Sequence, residues 1–226
     1  MYKAFLDERH SVWQDNNMTK DNAAKDRSSK DKKRDAILDA SNQQFRTYGY
    51  RKTSMDDIAK HIGISRASLY SYFADKDDIF REVAMRIHEQ ALAATEVCLR
   101  VTTKHQEFST RIKNALMARH SPFQEAVTLS THGGELFDEY SRLCGDIVAD
   151  SNRRFQAMLV KALNAAVKKG EINLKASGVS AIAAAEILNL SAAGLKHGAL
   201  DIATFEKRAK DLVNLFVTGP SKANEG

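Results

Sequence analysis

The sequence is poor in proline and lacks the alternation of apolar and polar residues that is typical of half-buried strands. Only two prolines occur among 226 residues, at positions 122 and 220, so little interrupts helices between them. Hydrophobic residues make up 43% of the chain and charged residues 28%, an ordinary composition for a protein with a buried core. These features predict an all-α fold.

Cysteine and long apolar runs are also scarce. Cys98 and Cys144 lie far apart and lack metal or redox spacing, so each is expected to be a small buried residue. The first residues carry acids and no apolar run, unlike a secretory signal. Glu186 and Asn189 interrupt the longest apolar stretch, VSAIAAAEILNLSAAGL, which is therefore a poor membrane span. We expect a cytoplasmic protein that is not inserted in a membrane.

The chain contains no recognisable catalytic constellation. Its seven histidines are scattered without metal-ligand spacing, and glycine-rich phosphate loops and nucleophile motifs are missing. We therefore expect no enzyme activity, no metal and no cofactor. The formal net charge of +5 permits binding to a polyanion without requiring it.

The stretch IAKHIGISRASLYSYFADK indicates two short helices joined by a turn. Gly63 can adopt the left-handed conformation that ends a helix, and Ser65 is a good N-cap for the next one. Leu69 and Phe73 are spaced to face inward, which leaves Arg66 facing outward with its neighbours. The pattern is that of a helix-turn-helix, although an ordinary corner between two core helices is an alternative.

A longer run, FRTYGYRKTSMDDIAKHIGISRASLYSYFADKDDIF, resembles the DNA-binding domain of the tetracycline-repressor (TetR) family of transcriptional regulators. The resemblance covers residues 30–85. It rests on these positions: Phe45, Gly49-Tyr50, Thr53-Ser54, Ile58-Ala59, Gly63-Ile64-Ser65, Leu69-Tyr70, Phe73 and Lys76.

The resemblance implies a three-helix DNA-binding domain followed by a helical domain that binds an effector and dimerises. The expected limits are 1–29 for a disordered arm, 30–76 for DNA binding, 77–219 for the second domain and 220–226 for a disordered tail. The basic residues at 25–34 are expected to approach DNA phosphates. Translation starting at Met18 instead of Met1 is an open alternative.

Residues at the start of the second helix of the motif are suited to reading bases in the major groove. Arg66 can bond O6 and N7 of guanine together, and Ala67 is small enough to contact a thymine methyl group. Hydroxyl and ammonium groups nearby suit phosphate oxygens. The predicted DNA-binding residues are Thr53, Ser54, Ser65, Arg66, Ala67, Ser68, Tyr70, Ser71, Tyr72 and Lys76.

The remaining chain is predicted to form further helices. Ser121-Pro122 resembles a helix start after a helix over 107–118, and Gly133-Gly134 resembles the stop of that second helix. A long helix is expected over 136–169, and two more over 176–197 and 204–217. Related proteins often have Ala-Glu where this chain has His132-Gly133, and the ligand-binding residues stay unassigned.

Small residues recur at helical intervals in the segment 176–197, which allows close helix packing. We expect this segment and the last helix to form a four-helix bundle across a two-fold axis. The predicted interface residues are Ala181, Ala184, Ala185, Leu188, Ala192, Leu195, Leu212 and Phe216. Packing of the same face within one subunit is the alternative.

The resemblance implies a homodimeric regulator on a double-stranded DNA operator, most often a repressor that a small-molecule effector releases. One alternative is a dimeric DNA-binding protein without small-molecule control. Another is a ligand-binding or enzymatic helical domain with an incidental helix-turn-helix. The effector, the operator sequence and the sign of regulation are not identified by the sequence.

Overall fold

The computed structural model describes residues 29–100, 107–128, 130–195 and 201–218. Within these ranges the chain forms nine α-helices and one 3-10 turn, and no strand, which confirms the all-α prediction. The helices are α1 (Ser29–Tyr48), α2 (Met55–Ile62), α3 (Arg66–Tyr70), α4 (Lys76–Leu99), α5 (Phe108–Thr128), α6 (Gly133–Leu143), α7 (Gly145–Lys168), α8 (Ala181–Leu195) and α9 (Ile202–Thr218); the 3-10 turn is Leu174–Ser177. The predicted arm before residue 29, the possible start at Met18 and the predicted tail lie outside the described residues.

Local capping residues set the boundaries of α2, α3 and α4, and Gly63 and Ser65 do so as the sequence predicts. The Ser54 side chain accepts a bond from the Asp57 N–H, and the Asp57 carboxylate accepts one from the Ser54 N–H in return. Gly63 ends α2 with φ of 76°. Ser65 caps α3 and Asp75 caps α4 through side-chain oxygens that accept backbone N–H bonds.

A first core joins α1 to α4 and reaches α6. The rings of Phe45, Tyr50 and Phe80 meet at centroid distances of 5.1 to 5.6 Å, and Leu69 and Phe73 of the helix-turn-helix are buried beside them. Arg34 spans this core on one side, since its guanidinium bonds Glu82 at 2.7 Å and lies 4.4 Å from the centre of the Phe73 ring. The short α3 is therefore held by its buried side chains.

The predicted helix boundary at Ser121-Pro122 is wrong, because α5 runs through both residues from Phe108 to Thr128. Proline removes one backbone hydrogen bond from a helix interior. The turn before Pro122 is buried, including Leu116 and Ser121, so packing keeps the helix continuous. The serine-proline pair therefore resembles a helix start in its local chemistry, although it lies inside a continuous buried helix.

The predicted long helix over 136–169 is also wrong, since it is divided at Cys144 into α6 and α7. Gly133 and Gly134 begin α6 rather than ending the preceding helix. Arg81 of α4 donates to the Leu143 carbonyl and makes a two-pronged pair with Asp146 at 2.9 and 2.7 Å. The break thus depends on a side chain that is distant in sequence.

A second core lies between α4, α5, α7, α8 and α9. Ala184, Ala185, Leu188 and Ala192 are fully buried in it, against residues such as Phe155 and Leu159 of the same subunit. The other four predicted interface residues are half-buried against the protomer's own cores; these are Ala181, Leu195, Leu212 and Phe216. The four fully buried residues therefore pack within the protomer, because small side chains let α8 approach neighbouring helices of its own chain. A dimer contact through the predicted interface residues stays a prediction.

Replacing Ala185 with glutamate should destabilise the isolated protomer, since a carboxylate would be buried without a partner. We expect a loss of about 3–5 kcal/mol in the free energy of unfolding, measured by urea denaturation. The exposed Ala157→Glu in α7 is the matched control and should change stability by less than about 0.5 kcal/mol. A folded Ala185→Glu protomer of unchanged stability would contradict the internal placement of this face.

Candidate DNA-binding surface and its link to an internal cavity

The outer face of α3 presents polar and small side chains on a rigid base. Leu69 is fully buried beneath it, whereas Arg66, Ala67 and Tyr70 are exposed. Ser65 accepts the Ser68 N–H at 3.1 Å and orients the start of the helix. The structure thus brings these predicted residues together at one surface: Ser65, Arg66, Ala67, Ser68, Tyr70 and Ser71.

Arg66 is held in place on this surface without being buried. Its guanidinium lies 3.2 Å from the Asp56 carboxylate, and it donates to the Tyr70 hydroxyl at 3.3 Å. These two contacts, the Tyr70 bond first, raise the pKa of Arg66. Because 60% of the side chain is exposed, its partners are exchangeable for groups of an incoming ligand.

The other predicted contact residues occupy different positions. Ser54 is exposed but bonds Asp57, and Tyr72 is half-buried against the first core. Thr53 is buried, and its hydroxyl donates to the Gly49 carbonyl at 2.6 Å. The Lys76 ammonium donates to the Tyr50 carbonyl at 2.8 Å and lies 4.1 Å from the centre of that ring, and burial lowers its pKa. Phosphate contacts by these residues stay predictions.

Helix α6 fastens the helix-turn-helix to the rest of the protein. The Glu135 carboxylate accepts the Arg51 N–H at 2.5 Å, and Glu139 lies 3.3 Å from the Arg51 side chain. Arg142 pairs with both Glu139 and Asp77, and these contacts with Arg142 and Arg51 lower the pKa of Glu139. Sequence reasoning missed this junction, because the partners Arg51 and Glu135 are 84 positions apart and neither belongs to a recognisable motif.

Gly49 marks the closest approach at this junction. Its φ of +84° lies in the left-handed region, and a Cβ added there would sit 2.7 Å from a Glu135 oxygen and 3.1 Å from His132 Nδ1. An added side chain at this position would therefore displace the Glu135 side chain from its place between α1 and α6. The glycine that directly follows α1 thus also makes room for a residue of a distant helix.

A cavity of about 320 Å³ lies behind α6, within the usual size range of small-molecule sites. It is lined by α1, α4, α5, α6, α7 and α8, and α6 contributes Leu136, Phe137 and Tyr140. The same short helix therefore contacts the cavity through these residues and the DNA-binding domain through Glu135 and Glu139. Anything that moves α6 from within the cavity changes its contacts with Arg51.

Residues 37–83 match the family of "Bacterial regulatory proteins, tetR family". The matched segment starts in α1, contains the whole helix-turn-helix and ends in α4. This segment of the chain is thus a TetR-family domain.

A curated relative supports this assignment over the same region. The HTH-type transcriptional activator FasR of Mycolicibacterium smegmatis is 30% identical over 78 residues, which are 34% of this chain and 36% of FasR. The chain thus matches little more than a third of that relative's length.

Solved TetR-type structures share the fold over most of the chain. A TetR/AcrR-family regulator from Thermobifida fusca aligns with a TM-score of 0.62 and 20% identity, covering 84% of this chain and 100% of that one. SmeT, the repressor of the Stenotrophomonas maltophilia multidrug efflux pump SmeDEF, aligns with a TM-score of 0.58 and 19% identity, covering 81% and 89%. Because these sequence identities are low, the structural similarity establishes the fold of this chain and nothing further.

No group of three His, Cys, Asp or Glu side chains in the described ranges is placed to hold a metal ion. None of the described helices combines the length and apolar character needed to cross a membrane.

Gly49→Ala should destabilise this TetR-type protein more than Gly63→Ala. Both positions have left-handed backbone, at φ of +84° and +76°, so both variants carry strain of about 1–2 kcal/mol. Only at Gly49 does the added Cβ also meet a neighbour, whereas Gly63 has open space around it. Chemical denaturation of both variants measures the difference in their free energies of unfolding. Equal losses of stability would show that the residues of α6 accommodate the added methyl group without an energetic cost.

Proposed function

We propose that this TetR-family protein is a sequence-specific regulator of transcription, a repressor that leaves its double-stranded DNA operator when a small molecule binds. The observation that carries the proposal is the exposed outer face of α3, with Arg66 and Ala67 directly after the Ser65 cap. We propose residues 30–76 as the DNA-binding part and 77–219 as the effector-binding and dimerising part. Such a regulator works in the cytoplasm, where its operator lies.

Arg66 is the proposed base reader, since its fork matches the O6 and N7 acceptors of guanine. When a guanine replaces Asp56 and Tyr70 as the partner of Arg66, the guanidinium has hydrogen-bond acceptors both in the free protein and on DNA. Exposed lysines at positions 30, 32, 33, 52 and 60 supply positive charge on α1, on α2 and before α2. These charges suit phosphate oxygens, which position a protein on DNA without reading the sequence.

The proposed dimer uses the outer face of α8 and the exposed part of α9. Ile182 and Leu190 of α8 are 63% and 64% exposed, and Leu215 of α9 is 71% exposed. The opposite face of α8 is already buried in the protomer, and Glu186 is the one charged residue within Ala181–Leu195. Because apolar residues lie on both faces of α8, its outer face also needs a packing partner, and a second copy of the chain supplies one.

The cavity and α6 form the proposed link between effector and operator. A ligand that favours one position of α6 over another changes the Glu135–Arg51 contact and with it the placement of α3. A triclosan complex of SmeT has been solved, which supports a ligand site in a protein of this fold. The effector then changes the affinity for DNA, and DNA changes the affinity for the effector by the same factor.

The proposal is tested by selecting bound fragments from random double-stranded DNA and footprinting the enriched sequence. We expect a site with approximate two-fold symmetry, whose half-sites contain a guanine facing Arg66. Screening small molecules for release of that DNA then separates a ligand-controlled regulator from a DNA-binding protein without such control. Enrichment of no sequence would contradict sequence-specific regulation.

Arg66→Ala should weaken binding to the selected site by about 1–3 kcal/mol and relax the preference at one base pair of each half-site. Fluorescence anisotropy with matched and mutated operators measures both effects. Arg153→Ala, at an exposed position of α7 distant from α3 in sequence, is the control and should bind like the wild type. Unchanged base preference in Arg66→Ala would remove Arg66 as a reader.

Ile182→Glu should convert the dimer to a folded monomer, since it places a charge in an apolar contact. We expect the dimer to weaken by at least about 2 kcal/mol, or ~30-fold, as measured by sedimentation equilibrium. Met85→Glu changes a comparably exposed apolar residue on α4 and should leave the dimer intact. A dimeric Ile182→Glu variant would place the interface elsewhere.

A further inference from the structure

The cavity behind α6 has an unusual balance of charge. Its lining includes two arginines, Arg46 and Arg119, and two histidines, His88 and His120. Among the described residues that line it, none is aspartate or glutamate. A cationic ligand would therefore meet the like charge of the two arginines, whereas an anionic ligand would meet opposite charge.

Arg119 is the buried one of these two arginines. It is 3% exposed, whereas Arg46 is exposed at the edge of the cavity. Its Nη2 donates to Asn152 Oδ1 at 2.8 Å, and the guanidinium lies 5.8 Å from the centre of the Phe155 ring. Burial lowers the pKa of Arg119.

The rest of the lining is largely apolar. Phe45, Phe80, Val83 and Leu136 contribute to the wall, and Phe137 is both a lining residue and solvent-exposed. Phe137 therefore marks the opening of the cavity. The hydrocarbon part of a ligand would therefore contact apolar side chains from the opening of the cavity to its interior.

We propose that this cavity binds a small amphiphile with an anionic head, of the medium-chain carboxylate class, and that Arg119 holds the carboxylate. This assignment rests on the proposed function, in which the cavity is the effector site. A guanidinium presents paired N–H donors that match a carboxylate, and such charge-assisted bonds are strong where water is excluded. The already buried guanidinium offsets part of the cost of removing the ligand's charge from water.

The test compares three probes of equal chain length at pH 7.5: decanoate, 1-decanol and decylammonium. Their dissociation constants are measured by displacement of a fluorescent naphthalene sulfonate and checked by calorimetry. For the wild-type protein we expect decanoate to bind at least about tenfold more tightly than decanol, and decylammonium to bind most weakly. Equal binding of the three probes, or a preference for decylammonium, would overturn the proposal.

Three variants assign the head-group contact. Arg119→Met should remove the preference for decanoate over decanol while decanol still binds, and Arg119→Lys should keep part of the preference. Arg153→Met, at an exposed arginine of α7 that is not part of the lining, is the control and should keep the wild-type preference. A preference for decanoate that is kept in Arg119→Met would overturn the role of Arg119, and the wild-type probe series decides the ligand class if Arg119→Met does not fold.

Operator binding in the presence of each probe separates this inference from the proposed function. Arg119-dependent binding of decanoate that leaves operator affinity unchanged would support the ligand class and overturn control of DNA binding through the cavity. Release of the operator by decylammonium or decanol, but not by decanoate, would support ligand control and overturn the anionic class. Release by decanoate that is lost in Arg119→Met supports both.

Discussion

The structure depends on the contact between α6 and the turn that follows α1. At this point the Glu135 carboxylate accepts the Arg51 N–H, and Gly49 leaves the space that lets the two segments meet. The approach is tight, since a single added methyl group at Gly49 would collide with Glu135. A displacement of α6 therefore changes this contact directly.

Helix α4 provides the second connection between the two halves. It begins at the Asp75 cap beside the helix-turn-helix, and its first turns place Ile79, Phe80 and Val83 in the first core. Further along, Leu92 belongs to the second core, so one helix is shared by both. Arg81 of α4 also anchors the break between α6 and α7 through Leu143 and Asp146. The DNA-binding surface and the cavity are thus parts of one packed structure.

Several predictions from sequence were accurate because the interactions behind them are local. The cap at Ser65 involves a residue three positions away, and the left-handed Gly63 follows from the absence of a side chain. The inward positions of Leu69 and Phe73 follow from helical periodicity. Predictions failed at Pro122 and at Cys144, where burial and the distant Arg81 override what the neighbouring residues favour. On α8 the sequence left two packing partners open, since a face of small residues has the same pattern whether it packs on its own subunit or on another.

By itself, the sequence determined the helical class, the position of the helix-turn-helix and the outward placement of Arg66, because helix periodicity and capping act within a few residues. The tertiary structure alone decided which face of α8 is free, where α6 ends, and that Arg119, Phe45 and Leu136 line one cavity. The physical reason is the range of the interactions. A side chain's burial and its charged partners are set by helices that meet from distant parts of the chain, and no spacing along the sequence records which helices those are.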